Sequence, residues 1–437
     1  MPHFAERIRA LGTENAFKLG EDIRRAESLG QKVIRLNLGE PDFNSADNIN
    51  DRAIQEIRRG NSHYTDPQGI LPFRETIARQ VAETRGVKID PRRVVVTAGA
   101  KPTIAYTLLA HVDPGDEVIY PSPGFPIYES WITFIGATPR PLHLSERKNF
   151  LFDPVDLEKL ITARTKLIFL NSPSNPTGGV LTRQDLQNVA DVIRNSAAPD
   201  LRIYSDEIYE NILFDGRTHQ SIMSLPSMTE QTIMVSGHSK TFAMTGWRLG
   251  YAILPTVEEA NLFKQFNINF ISCVPPFIQE AGIAALDNPE NKNHVVAMVR
   301  EFEKRRDCAI AELAAIPGVT CARPEGAFYA FPNIEGLCEE IGVIERYNNL
   351  SQTVRGATSP STLFQMFLLY RYGVATLDRR SFGVIGSEGK HFLRISLATA
   401  LPLLKEGIEN IARAAVDRSG FSRFMDDEGP RLWPDRR

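Results

Sequence analysis
Residues 236–250 carry two cations whose spacing suggests covalent chemistry. Lys240 lies eight residues before Arg248, directly after a run of strand-forming residues. A neighbouring positive charge and burial both favour the neutral form of a lysine, and a neutral lysine can form a Schiff base with a carbonyl compound. Taken alone, the segment is more simply interpreted as a surface lysine beside an arginine. A reactive lysine is therefore predicted only if other segments support it.

Three earlier segments also place polar groups at the ends of predicted strands. Asp206 and Tyr209 lie three residues apart, so both could face one ligand. Asn175 lies in a turn that two prolines and a glycine make rigid. Residues 97–101 are small and precede a helix, so their N–H groups could bind a phosphate. Each segment has an ordinary alternative: a helix cap for Asp206, a plain turn for Asn175, and one weak loop for residues 97–101.

A sheet must bring these segments together. From about residue 93 to 255, short β-rich runs alternate with helical patterns, which is typical of βαβ units and a mostly parallel sheet. Ligands of such sheets bind beyond the carboxyl ends of the strands, where the polar segments lie. The clearest predicted strands are 93–98, 116–121, 166–171, 201–205, 232–236 and 248–254.

The second half of the chain has a different pattern. Residues 325–400 mix short strands (327–331 and 392–397) with helices, which indicates a smaller α+β domain. Residues 337–372 look inserted, and the polar tail 418–437 is expected to be loosely held. The predicted helices of the whole chain are 71–85, 183–195, 293–315 and 401–417.

Composition excludes several classes of protein. The 50 Lys+Arg and 53 Asp+Glu residues give a net charge of −3 without a long basic stripe, which argues against nucleic acid as a partner. The longest uncharged stretch, 356–370, contains polar residues and is shorter than the ~18–20 apolar residues of a spanning helix, so no membrane segment is expected. The N-terminus lacks the apolar region of a secretory signal, so we expect a cytoplasmic protein. Four scattered cysteines without a CxxC pair predict reduced thiols and no metal site.

Taken together and in this order, the segments resemble the class I/II aminotransferases of the aspartate aminotransferase superfamily, which are fold-type I pyridoxal-phosphate enzymes. The resemblance extends from residues 36–43 through 64–69 and 123–128 to 392–399. It implies an α/β fold with a large, mostly parallel-sheet domain and a smaller α+β domain built from the C-terminal part plus the N-terminal segment. The implied division is 1–45 (N-terminal segment), 46–290 (large cofactor-binding domain) and 291–437 (small domain with insertion 337–372).

The resemblance implies pyridoxal 5′-phosphate as the cofactor. Lys240 matches the lysine that binds the cofactor covalently and serves as general base and acid. Asp206 matches the carboxylate that keeps the pyridine nitrogen protonated, which makes the ring an electron sink. Tyr209 and Asn175 match the groups that hydrogen-bond the ring oxygen O3′. Phe125 matches the aromatic side chain that stacks on the ring, although relatives commonly have tryptophan or tyrosine there.

Further matches concern the cofactor phosphate. They assign it to Arg248, which supplies the charge, and to the loop residues Gly99, Ala100 and Lys101. Tyr64 matches a tyrosine that reaches the phosphate of the neighbouring subunit, which implies a homodimer with shared active sites. Many relatives also have a serine three residues before the lysine. Here that position is Gly237, and of the flanking serines, Ser236 and Ser239, we favour Ser239.

For the substrate, Arg394 matches the arginine that binds the α-carboxylate through two hydrogen bonds, assisted by Gly39 and Asn175. The alternative for Arg394 is a surface charge at a strand end. Lys101 suggests aspartate or glutamate as a substrate, but relatives that prefer aromatic or neutral substrates share this lysine. Arg379 or Arg380 could also meet a distal carboxylate, although two solvated charges are the favoured interpretation. The segment 337–372 could shape the pocket entrance or pack against the dimer partner.

We therefore expect an aminotransferase that moves an amino group from an α-amino acid to a 2-oxo acid by a ping-pong mechanism. One alternative is a lyase, decarboxylase or oxidase on the same fold, because these reactions share the site residues. Another is a ligand-sensing regulator with an aminotransferase-like domain. Such regulators carry a DNA-binding domain ahead of this fold, whereas about 35 residues precede Leu36 here.

Overall fold
The computed structural model describes residues 4–12 and 14–433. Its helices are α1 (Asn15–Lys18), α2 (Gly20–Ser28), α3 (Asp47–Arg58), α4 (Leu71–Arg85), α5 (Pro102–His111), α6 (Ile127–Phe134), α7 (Pro154–Leu160), α8 (Arg183–Arg194), α9 (His238–Thr241), α10 (Val257–Phe270), α11 (Pro276–Asp287), α12 (Pro289–Ala314), α13 (Glu335–Glu340), α14 (Val343–Asn348), α15 (Gln352–Ala357), α16 (Pro360–Tyr372), α17 (Leu401–Ala414), α18 (Arg418–Asp427) and α19 (Gly429–Leu432). Its strands are β1 (Ile34–Arg35), β2 (Val94–Ala98), β3 (Glu117–Ser122), β4 (Thr138–His143), β5 (Thr165–Asn171), β6 (Arg202–Asp206), β7 (Thr232–Gly237), β8 (Leu249–Ile253), β9 (Tyr329–Ala330), β10 (Val374–Ala375), β11 (Leu377–Asp378) and β12 (Leu393–Ser396). Short 3₁₀ helices span Glu6–Ala10, Pro91–Arg93, Glu146–Lys148, Ile222–Ser224 and Arg379–Phe382.

The large sheet has the strand order β2-β8-β7-β6-β5-β3-β4. Strand β8 runs antiparallel to β2 and β7, and the other neighbouring strands are parallel. This confirms the predicted mostly parallel α/β sheet. The register places Asp206 beside Asn171 of β5 and Val235 of β7, so the polar residues that follow these strands lie at one edge.

The predicted helices and strands are present, with ends shifted by at most a few residues, but strand β4 is not predicted. Strand β4 contains Pro139 and Pro141 and pairs with β3 at the edge of the sheet. Proline removes a backbone N–H donor, which an edge strand tolerates and a central strand does not. Because of its two prolines, the sequence pattern does not predict this strand.

A second core joins the two ends of the chain. Strand β1 pairs in parallel with β10, and β11, β12 and β9 form a small antiparallel sheet. Ile23 and Leu36 from the N-terminal part are buried in the same cluster as Phe328, Phe367 and Ile408. The boundaries given above for the domains remain a prediction.

Residues 337–372 fold into parts of α13 to α16 and belong to the second core, where Phe364 and Leu368 are fully buried. That this segment is an insertion remains a prediction. One expectation about the C-terminal half is wrong. The tail is not loosely held through residue 433, because α18 packs Phe421 and Phe424 into the same core. Its few apolar residues recur at helical spacing, which a polar average composition conceals. Residues 434–437 of that expectation lie outside the described residues.

Within residues 4–12 and 14–433, no helix combines the length and the apolar character needed to cross a membrane. All four cysteines lie in these ranges and are free.

Candidate active site
A cavity of about 500 Å³ lies where β5, β6 and β7 end. The large sheet forms one side, and residues of the second core form the other. Of the site residues predicted above, the cavity is lined by Gly39, Ala100, Lys101, Phe125, Asn175, Asp206, Tyr209, Ser239, Lys240, Arg248 and Arg394. Gly99 and Tyr64 are not among the lining residues, and Tyr64 is 88% exposed.

Lys240 lies in α9, the short helix that follows β7. Its Nζ donates a hydrogen bond of 2.5 Å to the carbonyl oxygen of Gly39. Burial, assisted by the positive charge of Arg394, lowers the pKa of Lys240 to about 8. A larger fraction of this amine is therefore neutral near pH 7 than of an exposed lysine.

Asp206 ends β6 and presents a buried carboxylate to the cavity. Its Oδ2 accepts a hydrogen bond of 2.5 Å from the hydroxyl of Tyr128, and its Oδ1 accepts one of 3.3 Å from the backbone N–H of Ile208. Burial raises the pKa of Asp206 to about 6, although both hydrogen bonds oppose the shift. A cation placed against this carboxylate would favour its charged form.

Arg394, in β12, crosses from the second core to the cavity. Its Nη1 donates to Oδ1 of Asn175 at 3.0 Å, and its Nη2 donates to the carbonyl oxygen of Asn37 at 2.6 Å. The guanidinium lies 4.4 Å from the ring centre of Tyr329 and 5.0 Å from that of Phe382. These contacts hold a permanently charged, planar donor in a buried wall, which suits recognition of a carboxylate.

Tyr209 and Tyr329 meet across the cavity, with their hydroxyl oxygens 2.7 Å apart. Burial, and then contact with Tyr329, keeps the pKa of Tyr209 well above its ordinary value, so the hydroxyl remains protonated. A Cβ at Gly39 would lie 2.2 Å from the Tyr329 hydroxyl oxygen. Glycine at this position therefore leaves room for the tyrosine.

One part of the cavity wall contains groups that can bind an anion. Gly99 adopts φ +82°, and a Cβ there would lie 2.1 Å from Nη2 of Arg248. Glycine thus allows the guanidinium to approach the loop that precedes α5. Ser239 lines the cavity, whereas Ser236 points away and donates a 2.5 Å hydrogen bond to Glu210. This geometry supports Ser239 as the serine for the phosphate.

Comparison with known proteins agrees with this arrangement. The family model for aminotransferase class I and II matches residues 31–411. The chain belongs to the class I and II aminotransferases. It is 34% identical over 411 residues to a probable aspartate/prephenate aminotransferase of Aquifex aeolicus, covering 94% of this chain and 98% of that protein. It is 33% identical over 403 residues to aromatic-amino-acid aminotransferase 2 of Thermococcus litoralis, covering 91% and 96%. Among solved structures, the aspartate aminotransferase from Rhizobium meliloti matches with a TM-score of 0.84 and 31% identity, covering 96% of this chain and all (100%) of that one.

These relatives decide between the functions considered above. This protein is an enzyme, an aminotransferase, rather than a lyase, decarboxylase, oxidase or regulator.

The two arginines considered for a distal carboxylate do not line the cavity of this aminotransferase. Arg379 is 1% exposed, and it donates to the carbonyl of Gly383 at 2.9 Å and to Oγ of Ser122 at 2.8 Å. Arg380 donates to the carbonyl oxygen of Gly356 at 3.0 Å. The favoured interpretation of two solvated charges is therefore wrong for Arg379, whose pKa burial lowers to about 10. Its role is to fasten a loop of the second core to β3.

Several groups at this site have no role in the sequence analysis. Tyr128 does not line the cavity but donates to Asp206, and it lies in the segment 123–128 that carries the family resemblance, which is a signal for it. Tyr329 lines the cavity from the second core, and Glu14, Ala16 and Phe17 line it from the N-terminal part. None of these four residues has a local signal, because only the tertiary fold brings them to the sheet.

Proposed function
We propose that this aminotransferase binds pyridoxal 5′-phosphate in the cavity and exchanges an amino group between an α-amino acid and a 2-oxo acid. The observation that carries the proposal is that the amine of Lys240, the buried carboxylate of Asp206 and the guanidinium of Arg394 line one cavity. These groups suit a carbonyl carbon, a protonated pyridine nitrogen and a substrate carboxylate, respectively.

The residues present fit this cofactor. The cavity of about 500 Å³ is within the usual range for a small-molecule site. Asp206 is 8% exposed, and its contacts with Tyr128 and Ile208 leave it facing the cavity without a cation in hydrogen-bond contact among the described residues. At the other end, Arg248, Ser239 and the N–H groups of the loop before α5 suit a phosphate.

Each contact proposed for the cofactor has a residue of suitable chemistry. Lys240 would bind it covalently, Asp206 would pair with its ring nitrogen, and Phe125 would stack on its ring. Asn175 and Tyr209 would hydrogen-bond the ring oxygen. When bound, pyridoxal phosphate would supply an electron-withdrawing ring that stabilises negative charge at the substrate Cα.

The chain's own residues would perform the binding and proton steps. Arg394 holds the α-carboxylate, which fixes the orientation of the substrate Cα. The neutral amine of Lys240 then takes the proton from the substrate Cα, and the protonated amine later donates it to another carbon atom. Its pKa of about 8 suits both the role of base and the role of acid near neutral pH.

We propose that the cavity accepts two kinds of amino acid substrate: aspartate or glutamate, and an aromatic amino acid. The ammonium group of Lys101 lies at the cavity wall, 5.9 Å from the ring centre of Phe17. The cation suits a distal carboxylate, and the Phe17 ring suits an aromatic side chain. The names of the relatives include both substrate classes.

We further propose a cytoplasmic homodimer in which Tyr64 completes the site of the partner subunit. Tyr64 is 88% exposed and lies outside its own chain's cavity, which supports a role across an interface.

Transfer of a labelled amino nitrogen tests the proposed reaction. Purified holoenzyme is mixed with 2-oxoglutarate and amino acids whose amino nitrogen is isotopically labelled, and labelled glutamate is measured by mass spectrometry. The label is expected in glutamate, and K240A should reduce the transfer by about a hundredfold or more while the protein stays folded. K264A, which removes a surface lysine paired with Asp66, is the control. Release of labelled ammonia without labelled glutamate would contradict the proposal.

A further inference from the structure
The ammonium group of Lys101 already has a carboxylate partner in this chain. Its Nζ donates a hydrogen bond to Glu14 and forms an ion pair with it, and both residues line the cavity. Within residues 4–12 and 14–433, this is the ion pair that the structure gives to Lys101. The side chain of Glu14 is 18% exposed and that of Lys101 is 45% exposed. The pair therefore lies at the mouth of the cavity, where a substrate side chain would arrive.

Contacts of the residues that follow Glu14 anchor the segment that carries it. The side-chain amide of Asn15 donates to Oγ of Ser381 at 3.0 Å, and that of Asn37 donates to the carbonyl oxygen of Ala16 at 3.3 Å. A few residues later, Leu19 is buried in the second core. The Glu14 carboxylate is therefore presented by an anchored segment, which lowers the entropy cost of the ion pair.

The surroundings of the pair are aromatic. The ring centre of Phe17 lies 5.9 Å from Nζ of Lys101, and that of Phe125 lies 5.7 Å from it. While the pair is formed, the charge of Lys101 is neutralised, and the ring of Phe17, which the cofactor does not use, remains available to an apolar side chain. A second carboxylate at this place would be attracted by Lys101 but repelled by Glu14.

We propose that Glu14 determines substrate specificity by competing with the distal carboxylate of dicarboxylic substrates for Lys101. Substrates with neutral aromatic or aliphatic side chains bind with the Glu14–Lys101 pair intact. Aspartate and glutamate bind only with Glu14 displaced from Lys101. This inference rests on the proposed function of the cavity as an aminotransferase site.

Two unreactive acids separate the effect on the distal group from effects on the rest of the site. Succinate and 3-phenylpropionate each offer one carboxylate to Arg394, and they differ in having a carboxylate or a phenyl group at the other end. Their dissociation constants are measured by calorimetry on the holoenzyme and on E14Q. We expect E14Q to bind succinate about threefold to tenfold more tightly and 3-phenylpropionate within about twofold of the unaltered protein. E406Q, which removes an exposed pair with Lys32, is the matched control and should change neither constant.

A double-mutant cycle identifies the partner of Glu14. K101M should weaken succinate binding, and adding E14Q to K101M should no longer tighten it. Equal changes for both acids, or tightening that persists without Lys101, would overturn the proposal. E14A provides a second variant, and thermal unfolding shows that each variant is folded.

The outcomes also separate this inference from the proposed function. If the unaltered holoenzyme transfers no amino nitrogen and binds neither acid, the proposed function fails and the inference fails with it. If it transfers the nitrogen and binds both acids, but E14Q leaves the ratio of their dissociation constants unchanged, only the role of Glu14 is wrong.

Discussion
At the scale of single residues, the charge of Lys240 should control how fast the apoprotein captures pyridoxal phosphate. Only the neutral amine attacks the carbonyl carbon, and burial together with Arg394 lowers the pKa of Lys240 to about 8. The capture rate should therefore rise as the pH increases through about 8 and level off above it, as followed by absorbance in a stopped-flow experiment.

Arg394 provides a control for the origin of this pKa. R394M removes a positive charge near the amine, so the midpoint of the pH profile should move upward, towards the ordinary lysine value of 10.5. A midpoint near that value in the unaltered protein would show that the amine is not desolvated as the structure indicates.

Tyr128 should keep Asp206 charged. Its hydroxyl donates to Oδ2 of Asp206 at 2.5 Å, and loss of that bond would raise the already elevated pKa of the carboxyl further. A hydrogen bond to a charged group contributes about 1.5–3 kcal/mol, so Y128F should lower kcat by about tenfold or more. The loss should grow as the pH falls, because without this hydrogen bond Asp206 is protonated at a higher pH than in the unaltered protein.

Steady-state kinetics across pH measures this effect. Y106F is a matched control, because the Tyr106 hydroxyl donates to Asn267 at 3.3 Å outside the cavity. A pH-independent loss in Y128F, equal to that in Y106F, would assign Tyr128 a packing role only.

The residues predicted for the site differ in how far their position can be predicted from the sequence. Asp206 ends a strand of the large sheet, and Asn175 and Lys240 each follow one, so local pattern and topology together predict that they meet. Arg379 shows the opposite case. A charged side chain in a polar loop suggests a solvated charge, and only the folded chain reveals the carbonyl groups that bury it.

At the scale of elements, ion pairs with helix α4 hold the segment 206–210, which follows the end of β6. Asp206 and Tyr209 face the cavity. Glu207 and Glu210 pair instead with Arg85, the last residue of α4. The side chains of Arg85 and Glu207 are 5% and 1% exposed. Burial opposes ionisation of Glu207, yet Arg85 and His219 hold its pKa at about 2.

Removal of Arg85 should therefore destabilise the protein strongly. R85M leaves the buried carboxylate of Glu207 and the partly buried carboxylate of Glu210 without their cation, and breaking a buried pair costs about 3–5 kcal/mol of the free energy of unfolding. R79M, on the same helix, removes an exposed pair with Asp287 and should cost at most about 1 kcal/mol. Urea unfolding measures both. Equal costs would show that the buried pair adds no stability.

The pH dependence of this contribution follows from the sign of the shift. The pKa of Glu207 is lower in the folded protein than the ordinary 4.5, so its stabilising effect is present above pH 4.5 and is lost as the pH falls towards 2. R85M should lose most of this dependence.

Regular elements are predictable where the hydrophobic period is clear. Helix α4 begins and ends at the predicted residues, and the central strands are close to their predicted bounds. Strand β4 and helix α18 are not predicted, because prolines interrupt the first and a polar composition conceals the second. Both depend on contacts distant in sequence, which a local window does not contain.

At the scale of the whole molecule, the second core explains why part of the site cannot be predicted locally. Strand β1 pairs with β10, so residues near Gly39 and near Arg394 are brought together from opposite ends of the chain. The hydroxyl of Tyr329 and the carboxylate of Glu14 reach the cavity through the same packing. No spacing within a short segment indicates such contacts, whereas the resemblance to a family does so for Gly39 and Arg394.

The proposed homodimer predicts complementation between two inactive chains. If Tyr64 serves the partner's site, a hybrid of Y64A and K240A contains one site with both Lys240 and Tyr64 and one site with neither. Random exchange of subunits makes half of the dimers hybrid, so about a quarter of the original sites should be restored. We expect the mixture, after subunit exchange, to transfer amino nitrogen faster than the sum of the separate variants. If Tyr64 instead serves its own chain, every site in the hybrid lacks one residue and no activity returns. Analytical ultracentrifugation of the unaltered protein provides the control, because a monomer at the assay concentration would exclude shared sites.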